Sequence, residues 1–185
     1  MVVGVWSASP FGAFADVMVQ TPDDDRILLA PDERIADFVG STYAFDRVEL
    51  GPVSATLSAA ELTVTAPGLD VAVTIGGPAP IDMLLRLVPG RLAAAPWWLR
   101  AIDPIAARIV SGVHTAGSAG NGRREYYGVR RSHRIEAVAG RFGGQDLGGV
   151  APLLPPVGFG FSSAPPAPQI VAVTTTIDMP VSALH

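Results

Sequence analysis

The stretch from Arg124 to Ala139 reads REYYGVRRSHRIEAVA and is typical of one long β-strand that ends at the turn formers Gly143 and Gly144. Successive side chains of a strand point to opposite faces. One face would carry Tyr127, Val129, Arg131, His133 and Ile135, and the other Tyr126, Gly128, Arg130, Ser132 and Arg134. The two faces differ little in polarity, so the pattern predicts a strand without indicating which face is buried.

Further strands are predicted on both sides of this stretch. Residues 14–20 and 27–30 flank a run of turn formers and form a predicted hairpin. Residues 42–75 return to a period of two, which predicts three or four antiparallel strands. Residues 151–168 hold six of the seventeen prolines and are a predicted crossing loop, whereas residues 169–178 are rich in β-branched side chains and predict a last strand.

Helical patterns interrupt this β-rich chain twice. Residues 31–39 predict a short helix, because proline and acidic residues suit its first turn and Gly40 suits its end. Between about residues 81 and 112, helical spacing over residues 81–88, a start at Pro96 and a start at Asp103-Pro104 predict three short helices. The fold class predicted is therefore mainly β, an antiparallel barrel or barrel-like sandwich with a short N-terminal helix and a helical insertion.

Length and composition restrict the classes of protein further. The 185 residues suit a single domain, residues 1–185, and 49% hydrophobic against 16% charged residues argues for a packed core. The chain has 13 arginines, no lysine and no cysteine. Schiff-base chemistry, a P-loop lysine, disulfides and thiolate nucleophiles are thereby excluded. Arginine in place of lysine, with much Ala, Gly and Pro, is typical of a GC-rich bacterial genome.

Charge is distributed unevenly along the chain. Residues 1–90 hold 12 acidic and 4 basic side chains, while residues 91–185 hold 5 acidic and 9 basic ones. Six arginines lie between Arg123 and Arg141, so an anion site is expected there. The acidic pI of about 5.2 argues against nucleic-acid binding. Without a signal-peptide pattern or a long apolar run, the sequence predicts a soluble, cytoplasmic protein that is not an integral membrane protein.

The segment Glu125-Tyr126-Tyr127-Gly128-Val129-Arg130, running on to Ala137–Gly140, resembles the Tyr-Tyr strand-and-turn pattern of lipocalin-like β-barrels of the AttH and hydroxyneurosporene synthase type. The resemblance covers about 20 residues. What it implies is the fold, a lipocalin-like barrel.

Two groups of residues are candidates for ligand contacts. Trp97 and Trp98 begin a predicted helix beside three alanines, and such indoles either line a ligand cavity, cover it as a lid, or pack in the core. An interfacial helix, with Arg100 and Arg108 toward lipid headgroups, is a further alternative. Arginine and tyrosine suit a carboxylate at the rim of an apolar cavity. The second group consists of Tyr127, Arg131 and His133.

The sequence shows no cofactor or metal motif, and we expect neither. His114 and His133 with Glu125 or Asp146 have the side-chain types of a two-histidine, one-carboxylate metal site, but they form no metal-binding motif. The function predicted is binding of an apolar or amphipathic small molecule in a β-barrel. One alternative is a structural or interaction module with an apolar homodimer interface. The other is a cofactor-free hydratase, isomerase or cyclase on an apolar substrate, with a buried carboxylate or His133 as general acid. For the carboxylate, one of five residues would have to lie in an apolar cavity: Asp16, Glu61, Asp70, Glu125 or Glu136.

Overall fold

A computed structural model describes residues 1–110, 112–118 and 122–178 of the chain. Over these residues the fold is mainly β, as predicted, with two sheets and four helices. The chain divides into two compact units. The first unit contains Met1–Gly76 and Ile135–Ala151, and the second contains Gly77–Arg134 and Pro152–His185.

The first unit contains a four-stranded sheet in the order β1 to β4: Val2–Trp6, Phe14–Gln20, Arg26–Ala30 and Arg47–Leu50. The β2–β3 hairpin confirms the prediction, whereas β1 was not expected. β4 pairs parallel to β3, so the prediction that all strands after residue 42 are antiparallel is wrong. The helix between β3 and β4 provides the crossover that a parallel pair needs.

That helix is α1, Glu33–Gly40, and it lies within two residues of the predicted bounds. Asp32 is the N-cap, since its carboxylate accepts a hydrogen bond from the amide of Ile35 at 2.9 Å. One face of α1 carries Ile35, Ala36 and Val39, which are buried with Leu28 and Ala30 of β3. The core of this unit therefore lies between α1 and the sheet.

The antiparallel strands that follow belong to a second, seven-stranded sheet. β5 is Ser54–Leu57, β6 is Glu61–Ala66 and β7 is Leu69–Pro78. The long strand predicted from residue 124 is β9, Arg124–Phe142, and it confirms that prediction. Short β8, Ala116–Ser118, and β10, Gln145–Asp146, pair with it, as does the predicted last strand, β11, Gln169–Asp178.

The predicted alternation along β9 is wrong at its centre. The register against β11 shifts between Ala172 and Val173, where Ala172 lies opposite Arg131 but Val173 lies opposite Val129. Arg130 is thus the extra residue of a β-bulge. Arg130 and Arg131 are both exposed, although strict alternation assigns them to opposite faces.

The helical insertion consists of α2, Asp82–Leu85, α3, Gly90–Ala93, and α4, Pro96–Ile109. The separate third helix predicted at Asp103 is wrong, because α4 runs through Pro104 without a break. Asp103 does not cap a helix, since its carboxylate accepts hydrogen bonds from residues 114–116 instead. α3 packs directly on β9, where a Cβ on Gly128 would lie 2.3 Å from the carbonyl oxygen of Ala93.

Neither sheet closes on itself in the described part of the chain. The mainly β class is therefore confirmed, and the barrel is not. None of the described helices is long and apolar enough to span a bilayer.

Candidate functional site

Asp82, the first residue of α2, is the centre of a charged cluster in the second unit. Its side chain is 1% exposed. One carboxylate oxygen accepts hydrogen bonds from the Ser132 amide at 2.9 Å and from Nε of Arg131 at 3.1 Å. The other accepts from Nε of Arg86 at 2.8 Å. A buried carboxylate thus joins α2 to β9 and holds two guanidinium groups at fixed positions.

The Asp82 carboxylate is stabilised as the anion. Its pKa lies below the ordinary value, because the hydrogen bond from the Ser132 amide and the interactions with Arg131 and Arg86 outweigh the effect of burial, which would raise it. Two arginines facing one carboxylate leave one surplus positive charge. The Arg86 and Arg131 side chains are 52% and 45% exposed, respectively.

Arg86 and Arg131 each contact Asp82 through Nε, so their terminal nitrogens remain available. Within the part of the chain that the structure describes, these nitrogens have no protein partner. Guanidinium donors bind carboxylate and phosphate oxygens well, and fixed donors lose little entropy on binding. The arrangement can therefore hold a small oxyanion at the surface.

Two exposed apolar residues, Met83 of α2 and Leu87 just after its C-terminal end, are the sequence neighbours of Asp82 and Arg86. Met83 and Leu87 are four residues apart, as are Asp82 and Arg86, and the chain keeps turning past the end of α2, since the amides of Arg86 and Leu87 donate to the carbonyls of Asp82 and Leu84. Met83 is 73% exposed and Leu87 is 75% exposed. Guanidinium groups close to exposed apolar side chains match the two parts of an amphipathic anion.

Of the predicted ligand contacts, Arg131 lies in this cluster. Asp82 and Arg86 were not predicted. Their spacing of four residues on a helix is a signal for a local ion pair. The contact with Arg131, 49 residues away, has no such signal in the sequence.

Tyr127 and His133 have different surroundings from Arg131. The Tyr127 hydroxyl donates to the carboxylate of Glu125 at 2.9 Å, and its ring stacks on Phe161 with ring centres 5.3 Å apart. Glu125 is completely buried. His133 is half-buried and lies opposite Ile170 of β11.

Trp97 and Trp98 are in edge-to-face contact, with ring centres 6.1 Å apart. Trp97 is 64% exposed, whereas Trp98 is half-buried. Two buried side-chain atoms, Nε1 of Trp98 and the hydroxyl oxygen of Tyr126, lack a hydrogen-bond partner among the described residues. The Arg100 guanidinium lies over the Tyr126 ring, 5.4 Å from its centre.

Asp103 and His114 form a second polar cluster, in the same unit. One Asp103 oxygen lies 3.2 Å from Nδ1 of His114, and the other accepts from the amides of Thr115 at 2.6 Å and Ala116 at 3.2 Å. Burial acts to raise the pKa of Asp103, but the hydrogen bonds from His114 and the two amides outweigh it and hold the pKa below its ordinary value. These contacts tie α4 to β8.

Of the five carboxylates that a cofactor-free enzyme could use, Asp16 and Glu125 are buried and the other three are exposed. Burial raises the pKa of Asp16 to about 6, although its hydrogen bond from the Trp6 indole, 2.6 Å long, lowers it. Two open depressions of the surface lie beside α1 in the first unit, and neither contains a predicted ligand contact.

No group of three metal-ligating side chains occurs in residues 1–110, 112–118 and 122–178. Comparison of the chain with protein-family models, curated proteins and solved structures finds no match.

Proposed function

We propose that the protein binds an amphipathic anion, with its oxyanion on Arg86 and Arg131 and its apolar chain along Met83 and Leu87. The observation that carries this proposal is the buried Asp82, which orients both arginines through Nε and leaves their terminal nitrogens available. Because the arginine side chains are exposed, such a site lies at the surface and does not require the interior of a barrel. It narrows the predicted ligand, an apolar or amphipathic small molecule, to one with an anionic head.

The test is calorimetric titration with laurate below its micelle concentration. Laurate has both a carboxylate and an apolar chain, acetate has only the first, and dodecanol only the second. We expect laurate to bind at least about tenfold more tightly than either, because each partial ligand loses one set of contacts. Equal binding of laurate and dodecanol would contradict the role of the arginines.

Two variants locate the site. Arg131→Gln and Arg86→Gln each remove one guanidinium, and each is expected to weaken laurate binding about tenfold or more. Arg130→Gln is the matched control, since Arg130 is exposed at the adjacent bulge position and makes no described contact with Asp82. If Arg130→Gln weakens binding as much as the other two, the ligand is held by general positive charge and the proposal is wrong.

The second candidate function, a homodimer, is favoured by β11. This strand pairs with β9 and with no other strand among the described residues. It has no charged residue from Ile170 to Ile177, and Val171 and Val173 are about 40% exposed. Light scattering tests it: a dimer that Val173→Lys dissociates, and that Val150→Lys in a loop leaves intact, supports this candidate. A monomer at high micromolar concentration contradicts it.

A further inference from the structure

The solvent-facing side of α4 lacks the polar character expected of a surface helix. Its inner side carries Leu99, which is 2% exposed. Its outer face consists of Trp97, Ala101, Pro104, Ile105 and Arg108, all of which are exposed. Trp97 is 64% exposed and Ile105 is 57% exposed. A surface helix normally places charged residues there, so an outer face with four apolar members is suited to being covered.

The exposed charges of the helical segment that contains α4 have one sign. Residues 81–110 contain four arginines, all exposed, and two aspartates. Asp82 is buried between Arg86 and Arg131, and Asp103 is turned toward His114 and the amides of residues 115 and 116. The helical segment therefore presents apolar and cationic groups to solvent, with no exposed carboxylate.

This charge pattern discriminates between the surfaces that can cover α4. A second copy of the chain, related by a two-fold axis, would place arginines near arginines without a carboxylate to pair with them. An anionic bilayer supplies negative charge over an extended area and an apolar layer beneath it. Tryptophan favours the level of the headgroups, and arginine can reach phosphates while its stem lies on apolar surface.

We propose that the outer face of α4 docks on an anionic lipid surface, with the helix lying parallel to the membrane plane. Trp97 and Ile105 enter the boundary between headgroups and acyl chains, and Arg108 contacts lipid phosphates. The helix rests on the bilayer and does not cross it. This docking surface uses none of the residues of the Arg86 and Arg131 site, so either proposal can fail without the other.

Co-sedimentation with vesicles tests the docking. The probes are vesicles of phosphatidylcholine alone and of phosphatidylcholine with about one third phosphatidylglycerol. We expect the full chain to bind the anionic vesicles, to bind the neutral ones at least about tenfold more weakly, and to be released by salt. Brominated lipids should quench tryptophan fluorescence, and Trp97→Phe should remove most of that quenching.

Ile105→Glu is the decisive variant, and Leu57→Glu in β5 is its control, because the two side chains are 57% and 55% exposed. Ile105→Glu is expected to lower vesicle binding about tenfold or more, whereas Leu57→Glu leaves it unchanged. Circular dichroism confirms that both variants are folded. No binding of the unaltered chain to anionic vesicles overturns the proposal. Binding of Ile105→Glu to anionic vesicles as strong as that of the unaltered chain would also overturn it. A dimer or a complex with another protein that forms without lipid, and that Ile105→Glu abolishes, would overturn it as well.

Discussion

The adjacent residues Tyr126 and Tyr127 of β9 differ in what their hydroxyls contact. The Tyr126 hydroxyl is buried without a partner among the described residues, whereas the Tyr127 hydroxyl donates to buried Glu125. Removing an unsatisfied buried polar group relieves a desolvation cost, so Tyr126→Phe should leave the free energy of unfolding unchanged or raise it by up to about 1 kcal/mol. Tyr127→Phe should lower it by about 1 to 3 kcal/mol, because Glu125 loses a donor.

Urea denaturation of the two variants measures this difference, and each variant is the control for the other because both lose only one hydroxyl. A loss of stability in Tyr126→Phe equal to that in Tyr127→Phe would mean that the Tyr126 hydroxyl has a partner, and would contradict the expectation.

Asp16 makes the stability of the protein depend on pH. Its pKa is raised from 3.8 to about 6 in the folded protein, so the folded state binds the proton more tightly than the unfolded state does. The contribution of Asp16 to the free energy of unfolding is therefore greatest below about pH 4 and falls as pH rises to about 6, by about 3 kcal/mol in total. Above that range it is constant.

Asp16→Asn isolates this effect, because asparagine keeps an oxygen for the Trp6 indole and cannot titrate. Urea denaturation of both proteins between pH 4 and 7 should show the variant gaining stability relative to the unaltered chain as pH rises. Other carboxylates contribute equally to both proteins and cancel in the difference. Parallel stability curves for the two proteins would show that Asp16 does not titrate in this range.

At the scale of elements, Asp103 connects α4 to the segment that leads into β8. Asp103→Ala removes the acceptor for the amides of Thr115 and Ala116, and it should lower the free energy of unfolding by about 2 kcal/mol. Asp103→Asn keeps one acceptor oxygen and should cost about half as much. Hydrogen exchange should be faster at these two amides in both variants.

Asp146→Ala is the control for Asp103, since the Asp146 carboxylate also accepts a hydrogen bond from a backbone amide, that of Gly148, but at the exposed end of β10 in the first unit. It should leave exchange at Thr115 and Ala116 unchanged. Unchanged exchange at these amides in Asp103→Ala would instead show that the carboxylate does not hold the segment.

Local signals in the sequence predict elements but not how distant elements meet. The β2–β3 hairpin and α1 were predictable because turn formers, the Asp32 cap and the apolar face lie within a few residues of one another. The parallel pairing of β4 and the continuity of α4 depend on contacts between distant segments. Asp103 followed by a proline has the local pattern of a helix start, yet its carboxylate binds residues 11 to 13 positions later.

The same reason limits prediction of the candidate site. Arg131 was identifiable because arginines are concentrated in β9 and suit an anion. Its orientation depends on Asp82, on the Ser132 amide and on the bulge at Arg130, none of which follows from strict alternation along a strand. Sequence thus indicates which residue types can bind an anion, whereas the pairing of β9 with β11 and its contact with α2 decide which of them are held in place.

For the molecule as a whole, charge is segregated by unit. The first unit has 13 acidic and 4 basic residues, a net charge of −9, and the second has 4 acidic and 9 basic residues, a net charge of +5. Fields of opposite sign persist over about 10 Å at moderate ionic strength. A ligand with negative charge therefore experiences the second unit as a cationic surface, although the chain is acidic overall. Both proposed binding surfaces, the Arg86 and Arg131 site and the outer face of α4, lie in this unit.

This segregation predicts that the protein is retained on a cation exchanger at neutral pH despite its formal net charge of −4. Two triple variants separate local charge from net charge, since each replaces three arginines by glutamine and lowers the net charge by three. The second-unit triple replaces Arg91, Arg124 and Arg130, and the first-unit triple replaces Arg34, Arg47 and Arg141. We expect only the second-unit triple variant to lose retention. The unaltered chain and the first-unit triple variant should elute at salt on the order of 0.1–0.2 M, where screening shortens the range of the field. If both triples elute equally early, net charge governs the interaction, and the positive unit does not act as a separate surface.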